Sequence, residues 1–431
     1  MTPPPRSARH PVRVAHLGLG AFHRAHQAWY TQAANDAGGD WGIAAFTGRS
    51  PEAARVLAAQ DAVYTLVERG ADGDAARAVD ALSRVHDGAD RDAWRATIAD
   101  PDVAVLTLTI TEAGYRPGAG APARVLDGLA ARRAAGAGPL AVVSCDNLPR
   151  NGDVIREAVL ALAADDAGLS DWIRTEVSFV SSMVDRITPA TTDADREEVR
   201  RLTGWDDAAP VVTEPFTEWV LAGAFPAGRP DWEAGGARFV ADIEPFERRK
   251  LWLLNAGHSL LAYHGLLRGR ATVAEAVGDP ALRDELELLW SEQRTELPFA
   301  DDAVDEALAA LRDRFANGRI AHRLAQIGAD GSQKLGPRIL DPLRARLAGG
   351  RAPGVAQAGV LAAWARHFAG SAAAEVNDAG AVGLAVRLRD ARTDRDRAAL
   401  VLDALAPDLT ERTDLAGLIA DRIASLQGAP A

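Results

Sequence analysis

Short apolar runs rich in valine, isoleucine and leucine recur along the first half of the chain, separated by stretches with helical periodicity. The runs predict strands and the stretches between them predict helices. The predicted strands cover residues 12–19, 41–47, 62–67, 103–110, 140–144 and 177–184, and the predicted helices cover 26–34, 91–98, 121–134 and 153–164. Such alternation is typical of a doubly wound α/β domain, in which helices cover both faces of a mostly parallel sheet.

The pattern changes at about Pro245, beyond which apolar positions recur at helical spacing and convincing strands disappear. The predicted helices there cover residues 251–267, 280–297, 303–315, 355–368, 382–391 and 415–426. A stretch rich in glycine and proline at 222–236 marks the approach to a domain boundary. We therefore expect a doubly wound α/β domain over residues 1–240 and an all-helical domain over residues 241–431.

The composition is typical of a folded protein, since 48% of the 431 residues are hydrophobic and 25% are charged. A formal net charge of −12 argues against a nucleic-acid partner, because binding to phosphates needs a basic surface. With one cysteine, Cys145, the chain forms neither an internal disulfide nor a zinc site of several thiolates. No signal peptide or membrane-spanning run is evident, so we expect a cytoplasmic protein with no membrane partner.

Lysine is rare in this chain, because only Lys250 and Lys334 among the 48 basic residues are lysines. Arginine evidently serves wherever a general positive charge is enough. A buried lysine can give up its proton and take it back, whereas an arginine stays charged in a protein. Both lysines are therefore candidates for a specific task, although survival on a solvated surface is the simpler explanation for either one alone.

A glycine-rich turn follows the first predicted strand. In it Gly18 and Gly20 allow a tight bend and the close approach of a pyrophosphate, although His23 replaces the usual third glycine. At the end of the second strand, where an acidic residue would hold the ribose of NAD, the chain has Arg49 and Ser50. These two side chains could accept a 2′-phosphate, so the choice between NAD and NADP stays open. The alternative is an ordinary glycine turn with a solvated Arg49.

The first lysine begins a predicted helix that carries several polar side chains. At 100° per residue from Lys250, Glu247 lies at about 60° and His258 at about 80°. Asn255 lies at about 140°, so the four polar groups share one side of an α-helix. Leucines occupy the same side, which a solvated stripe would not normally carry. The alternative is that Lys250 extends from an amphipathic helix into solvent.

Such a helix face suits the oxidation of a secondary alcohol by NAD(P)⁺. That reaction needs a base for the hydroxyl proton and donors for the developing alkoxide. A partly desolvated Lys250 would be the base, the Asn255 amide would be a donor, and His258 would orient a hydroxyl or the lysine. The charge of Glu247 opposes a neutral lysine, so a place on the path by which the proton leaves suits it better.

Seven motifs follow one another between residues 12 and 343. They are 18–26 (GLGAFHRAH), 109–115 (TITEAGY), 144–152 (SCDNLPRNG), 183–189 (MVDRITP), 213–216 (TEPF), the Lys250, Asn255 and His258 signature, and 330–334 (DGSQK). Together they resemble the motifs of the long-chain polyol-specific dehydrogenases and reductases, which form the mannitol dehydrogenase family. The resemblance implies a Rossmann-type domain that binds NAD, with NADP not excluded, and a helical catalytic domain that works without a metal.

The resemblance also implies roles for individual residues. It assigns Lys250 as the general acid/base and Asn147 and Asn255 as amides that stabilise the alkoxide. His258 belongs to the same signature and is expected to be a further catalytic group. The glycine turn, the end of the second strand and the resemblance together give the residues expected at the cofactor, which are Gly18, Gly20, Phe22, His23, Arg24, Arg49 and Asp185.

Two of these assignments have structural alternatives. Asn147, at the end of an apolar strand, could simply form a loop. Asp185 would face the nicotinamide and substrate by resemblance, but it could equally be an ion-pair partner of Arg186 or Arg24.

The second lysine lies in a motif that would bind the far end of the substrate. Lys334 and Arg338 would present two cations to a carboxylate or a terminal hydroxyl, in addition to contacts from Asp185 and His258. The segment 322–338 looks closer to the hexuronate reductases than to mannitol dehydrogenases, which tend to carry arginine at the position of Gln326. The alternative for this segment is a surface turn.

The first hypothesis is an NAD(P)-dependent reductase that interconverts a keto-sugar acid and its hexonate, of the fructuronate and mannonate type. The second is a mannitol 2-dehydrogenase or arabinitol dehydrogenase, which acts on a neutral polyol. From another class comes a non-catalytic redox sensor that binds the dinucleotide, against which the retained Lys250 argues. We expect a small-molecule substrate, no metal, and a monomer or small homo-oligomer.

Overall fold

The computed structural model describes residues 2–116, 118, 120–369 and 377–426. The chain divides into two units, Met1–Glu244 and Pro245–Ala431, and the change from strands to helices coincides with this division. The boundary expected from the sequence, after residue 240, lies just before it. No helix of the described residues combines the length and the apolar character that crossing a membrane requires.

The first unit contains the strands β1 (Val12–Leu17), β2 (Gly42–Phe46), β3 (Tyr64–Arg69), β4 (Asp74–Val79), β5 (Leu82–His86), β6 (Val105–Leu108), β7 (Leu140–Ser144), β8 (Val177–Asp185), β9 (Val211–Thr213), β10 (Glu218–Ala222) and β11 (Arg238–Phe239). Eight of them form a sheet in the order β11-β10-β8-β7-β6-β1-β2-β5. Neighbouring strands from β8 to β5 are parallel, and β10 is antiparallel to β8. The doubly wound α/β fold is therefore confirmed.

The strand order reverses at β1, which lies between β2 and β6. Doubly wound sheets bind their ligands beyond the carboxyl ends of the strands at such a switch point. The turns after β1, β6 and β7 contain the motifs at 18–26, 109–115 and 144–152. Three segments that are far apart in the sequence thus reach one edge of the sheet.

A second, three-stranded sheet corrects one sequence-based prediction. The strand expected at 62–67 is β3, but it joins β4 in an antiparallel hairpin and β9 in parallel, outside the main sheet. The sequence pattern predicted neither partner, because β4 is alanine-rich and mostly half-exposed and β9 has only three residues. The short strands β5, β10 and β11 were also not predicted.

The helices of the first unit are α1 (Ala21–Ala25), α2 (Gln27–Asp36), α3 (Glu52–Ala58), α4 (Arg91–Ile98), α5 (Gly120–Ala135), α6 (Asn151–Leu162), α7 (Ala167–Glu176) and α8 (Asp193–Thr203). The helix expected at 26–34 begins earlier and is interrupted at His26, whose backbone leaves the helical region. Adjacent residues of β1, such as Val14 and Ala15, belong to different apolar layers, so both faces of the sheet are buried.

Arg132, near the end of α5, holds the loop between α5 and β7 through hydrogen bonds to its backbone. Its side chain is fully buried. All five guanidinium N–H groups donate to backbone carbonyls at 2.8 to 3.0 Å, those of Ile98, Asp100, Ala137, Gly138 and Pro139. The planar fork of arginine suits this set of acceptors, whereas an ammonium has only three donors.

We predict that Arg132→Lys lowers the free energy of unfolding by about 3 kcal/mol, because at least two of the five carbonyls lose the donor that the buried guanidinium supplies. Arg133→Lys is the matched control. Arg133 is 40% exposed and lies 3.7 Å from Asp166 in a surface ion pair, so its loss should cost about 0.5 kcal/mol or less. Urea unfolding followed by circular dichroism measures both variants, and equal losses would contradict this account.

The helices of the second unit are α9 (Glu244–Arg249), α10 (Ala256–Leu267), α11 (Val273–Gly278), α12 (Pro280–Arg294), α13 (Asp301–Ala316), α14 (Leu324–Gly328), α15 (Gly331–Leu335), α16 (Asp341–Ala348), α17 (Val355–Ala369), α18 (Val382–Asp390), α19 (Asp394–Leu405) and α20 (Thr413–Ser425). Nearly every residue of α10 and α17 is buried, as expected of helices that are apolar on all sides. The expectation of a helical second half is confirmed.

Two segments of this unit are π-helical, with backbone hydrogen bonds between residues five apart. The first π turn, Lys250–Asn255, joins α9 to α10, and the second π turn, Gly336–Leu340, joins α15 to α16. The spacing is visible in the bond from the Ala256 N–H to the Leu251 carbonyl. The two π turns lie against each other.

The first π turn corrects the helical geometry that the sequence predicted. A rotation of 100° per residue, which separates Lys250 and Asn255 by about 140°, holds only for an α-helix. In a π turn, residues five apart occupy the same side, as residues four apart do in an α-helix. Lys250 and Asn255 therefore share a side more closely than the sequence indicated.

Candidate active site

The glycine turn after β1 accepts only glycine at its first position. Gly18 has a φ of +112°, and a Cβ added there would lie 2.0 Å from the carbonyl oxygen of Thr109. Gly20 has a φ of −138°, and the nearest atom to an added Cβ would be the Gly18 carbonyl oxygen at 3.6 Å. The fold itself thus requires Gly18, whereas Gly20 leaves open space beside the backbone. Close approach of a pyrophosphate needs such space, so the turn fits a dinucleotide.

Side chains of β1 and of the loop after β6 hold this turn in place. The Thr109 hydroxyl donates to the Gly18 carbonyl at 2.8 Å, so it accepts from His16 Nε2 at 3.1 Å. His16 Nδ1 then accepts from the Thr107 hydroxyl at 2.8 Å. Burial lowers the pKa of His16 to about 3, so the ring is neutral. The three hydrogen bonds then place its one ring proton on Nε2. Sequence reasoning did not single out His16.

Two of the predicted cofactor residues in this turn face the protein interior. His23 is buried, and its ring stacks on that of His16 with centroids 3.3 Å apart. The Arg24 guanidinium is also buried and lies 5.3 Å from the centroid of the Tyr64 ring. Phe22 is only half-buried. Of the three side chains, Phe22 is therefore the one with substantial exposed surface at the turn.

Arg49 and Asp185 lie at the carboxyl ends of β2 and β8. Arg49 and the adjacent Ser50 are both exposed. Asp185 is the last residue of β8 and is 9% exposed. The buried Arg186 beside it forms an ion pair with Glu68.

Thr111 has a backbone conformation that is rare for a β-branched residue, with φ +64° and ψ 159°. This region is essentially restricted to glycine and costs about 1–3 kcal/mol. The Asp146 carboxylate holds the strained loop by accepting the N–H groups of Ile110 and Thr111 at 2.9 and 2.8 Å and the Tyr115 hydroxyl at 2.7 Å. Burial raises the pKa of Asp146, although these donors oppose the rise. A half-buried carboxylate thus joins the loops after β6 and β7.

Asn147 follows Asp146 directly and is exposed at the carboxyl end of β7. Asn151 holds the other end of this loop, since its amide donates to the carbonyls of Asp146 and Ser182 at 2.7 and 2.8 Å. Gly152 has no room for a side chain, because a Cβ would lie 2.6 Å from a backbone nitrogen of β8. The neighbours of Asn147 therefore shape the loop, and the Asn147 amide lies at its surface.

Lys250 and Asn255 are the first and last residues of the first π turn, and both are half-buried. Glu247 lies one turn earlier, in α9, and is buried. The partial burial of Lys250 favours the interpretation of this residue as a partly desolvated amine over that of a lysine extended into solvent.

His258 is buried one turn beyond Asn255. Its ring packs against Phe315 and His322, with centroids 4.7 and 4.8 Å away. Burial lowers the pKa of His258 well below its usual value, and nearby cationic groups, including Arg338 and Lys250, lower it further. His258 is therefore a neutral hydrogen-bonding group within electrostatic reach of both cations.

One hydroxyl connects Arg338 to the first π turn. The buried Ser259 hydroxyl donates to the Asn255 carbonyl at 3.1 Å and accepts from Arg338 Nη1 at 3.1 Å. The structure thus brings Arg338, in the second π turn, beside the helix that carries Asn255 and His258. Sequence reasoning did not identify Ser259, because no local pattern predicts this contact.

The motif that contains Lys334 forms a tight turn into α15. A Cβ at Gly331 would lie 2.0 Å from the Tyr263 hydroxyl, so only glycine fits. Asp378, from a distant part of the chain, accepts the Ser332 N–H at 2.7 Å and also accepts the Ser332 hydroxyl. These contacts hold the start of the helix in which Lys334 is half-buried.

The candidate residues fall into two groups. The predicted cofactor residues and Asn147 belong to the first unit, and the lysine signature, Glu247, Lys334 and Arg338 belong to the second. Across the described ranges, no cluster of three or more histidine, cysteine, aspartate or glutamate side chains could hold a metal ion.

Family models match both units. A model of the mannitol dehydrogenase Rossmann domain matches residues 12–234, and a model of the mannitol dehydrogenase C-terminal domain matches residues 242–427. D-mannonate oxidoreductase of Escherichia coli (strain K12) is 36% identical over 447 residues, which cover 94% of this chain and 91% of that protein. The uncharacterized oxidoreductase YeiQ of the same organism is 38% identical over 419 residues, 89% of this chain and 83% of that protein.

A solved structure has the same architecture. Pseudomonas fluorescens mannitol 2-dehydrogenase, in a ternary complex with NAD and D-mannitol, is 33% identical with a TM-score of 0.82, over 99% of this chain and 94% of that chain.

These observations define an NAD(P)-dependent oxidoreductase that acts on CH–OH groups, with a Rossmann-type first unit and a helical second unit. Within that class, the chain belongs to the mannitol dehydrogenase family. An enzyme of this class is not the non-catalytic sensor that the sequence had left as an alternative.

We predict different effects for alanine at the two glycines of the turn. Gly18→Ala should lower the free energy of unfolding by about 3 kcal/mol, because the methyl group meets Thr109 and the backbone is left-handed there. Gly20→Ala should leave the melting temperature nearly unchanged and weaken NADH binding roughly tenfold or more, about 1.4 kcal/mol. Thermal melts and NADH fluorescence titration measure these effects. Normal NADH affinity in Gly20→Ala would argue against pyrophosphate at this turn.

Proposed function

We propose that this protein is an NAD(P)-dependent reductase that interconverts a keto-sugar acid of the fructuronate type and its hexonate, of the mannonate type. The observation that carries the proposal is the connection from Arg338 through Ser259 to Asn255, which sets a guanidinium beside the predicted acid/base helix. Guanidinium groups recognise carboxylates with paired N–H donors. Similarity to D-mannonate oxidoreductase over 94% of the chain supports the same substrate class.

In this proposal the Lys250 amine takes the hydroxyl proton of the substrate during oxidation and returns it during reduction. Bound NAD(P) accepts or supplies the hydride. The amides of Asn255 and Asn147 donate hydrogen bonds to the substrate oxygen and stabilise its developing negative charge. The neutral His258 orients a neighbouring hydroxyl, and Glu247 passes the proton of the lysine towards solvent.

The dinucleotide is proposed to bind at the carboxyl edge of the main sheet, along Gly18, Gly20 and Phe22, with Asp185 near the nicotinamide and substrate. We infer that His23 and Arg24 support the turn from inside, because both side chains are buried. The exposed Arg49 follows β2 where a carboxylate would select NAD. NADPH should therefore be accepted besides NADH.

The second candidate function is a mannitol 2-dehydrogenase or arabinitol dehydrogenase. It is favoured by the TM-score of 0.82 with the mannitol 2-dehydrogenase complex, whose substrate is a neutral polyol. The two candidates differ in the end group of the substrate. A carboxylate would depend on Lys334 and Arg338, whereas a neutral polyol would depend on them much less.

We predict that Lys250→Arg loses turnover as severely as Lys250→Ala, by about a hundredfold or more, because arginine keeps the charge but cannot give up its proton. NADH affinity should stay unchanged in both variants. Steady-state rates from NADH absorbance and fluorescence titration of NADH provide the two readouts. Substantial turnover in Lys250→Arg would remove this residue from proton transfer.

A substrate panel of fructuronate, tagaturonate, fructose and xylulose, each with NADH or NADPH, tests the proposed specificity. We expect the keto acids to be preferred, and Lys334→Met and Arg338→Met to raise their KM about tenfold to a hundredfold, about 1.4 to 2.8 kcal/mol. Arg344→Met is the control, because Arg344 pairs with Asp341 and Asp408 at the surface. A neutral ketose as best substrate, insensitive to both substitutions, would favour the polyol dehydrogenase.

A further inference from the structure

Helix α12 contacts both π turns through two buried side chains on one face. Trp290 and Gln293 are three residues apart, hence on the same side of the helix, and they are 1% and 0% exposed. The Trp290 indole N–H donates to the Leu253 carbonyl in the first π turn at 2.9 Å. The Gln293 amide donates to the Arg338 carbonyl in the second π turn at 3.1 Å.

A fully buried glutamine such as Gln293 lowers the stability of the core unless its amide makes hydrogen bonds that compensate for the loss of water. Within the described parts of the chain, its side-chain oxygen has no hydrogen-bond partner. A buried polar group left in this state costs about 1–3 kcal/mol. A methionine would fill similar space without that cost. The interaction that Gln293 does make is the donation to the Arg338 carbonyl.

Gly257, two residues beyond the first π turn, allows α12 to come this close. A Cβ at Gly257 would lie 3.1 Å from Leu286 and 3.3 Å from the indole nitrogen of Trp290, closer than side chains normally pack. Because Gly257 has no side chain, the Trp290 indole of α12 can lie close to the start of α10.

A π turn contains one residue more than the α-helical turn that it replaces. If the first π turn relaxed to α geometry, Lys250 would rotate by about 100° and move by about 1.5 Å relative to Asn255. The same change in the second π turn would move Arg338 relative to α16. Donors from outside the helix, bound to carbonyls within the wide turns, stabilise the π geometry against this relaxation.

We propose that Trp290 and Gln293 are positioning residues of the active site. Through them α12 clamps both π turns, and so sets the register of Lys250 and Asn255 in one and the position of Arg338 in the other. The inference rests on the proposed function for the roles of Lys250 and Arg338. Because the two π turns lie against each other, release of one clamp should loosen both.

Hydrogen exchange tests the clamp without any substrate. In full-length Trp290→Phe and Gln293→Met, we expect the backbone amides at 251–257 and 337–342 to exchange about fivefold faster or more, as for a loss of about 1 kcal/mol. Trp94→Phe is the matched control. Trp94 is also fully buried, and its indole donates to a backbone carbonyl, that of Arg124, at 2.8 Å in the first unit. Trp94→Phe should lose similar stability without faster exchange at either π turn.

Kinetics of the NADH-bound enzyme separate positioning from mere stability. Both clamp variants should lower kcat about tenfold or more and displace the pH profile of kcat, because the surroundings of the Lys250 amine change. NADH affinity should stay normal, and Trp94→Phe should behave as wild type in all three measurements.

Unchanged exchange at both π turns in both clamp variants would overturn the proposal. Faster exchange with a normal kcat and pH profile would also overturn it, since the clamp would then not set the active-site register. If the wild type turns over no substrate of the panel while exchange rises as expected, the proposed function fails and the clamp of the π turns is supported.

Discussion

The register of one helix determines whether the lysine signature forms a single surface. Lys250 and Asn255 are five residues apart, a spacing that separates side chains on an α-helix and brings them together on a π turn. The first π turn therefore converts a linear pattern of lysine and asparagine into neighbouring groups, and the buried Trp290 indole of α12 stabilises that geometry. His258 follows one turn later, neutral because burial and nearby cations lower its pKa.

The first unit depends on a comparable network at the carboxyl edge of its sheet. The half-buried Asp146 carboxylate joins the loops after β6 and β7 and holds Thr111 in a conformation that few residues adopt. The neutral His16 supports Thr109, which in turn contacts Gly18. In both units, buried and partly buried polar side chains hold the backbone next to the candidate residues through hydrogen bonds to main-chain groups.

The division of labour between arginine and lysine follows from their side chains. Arg132 uses all five donors of its planar group on backbone carbonyls, which no lysine could do. Arg338 similarly reaches the Ser259 hydroxyl with one nitrogen of its guanidinium. Lysine remains at positions 250 and 334, both half-buried, and only lysine offers an amine that can exchange a proton.

Alternating apolar blocks were enough to predict the doubly wound fold and the change to helices near residue 245, and contiguous motifs were enough to indicate the family. Both depend on local periodicity and on neighbours in the chain. The pairing of β3 with β9, the contact of Ser259 with Arg338 and the capping by Asp378 were not predictable, because they join distant segments. Nor could a helical wheel detect the extra residue at 250–255, since its stabilising donor, Trp290, lies 37 residues from Leu253. The order of residues names the chemical groups, but long-range packing decides which of them face one another.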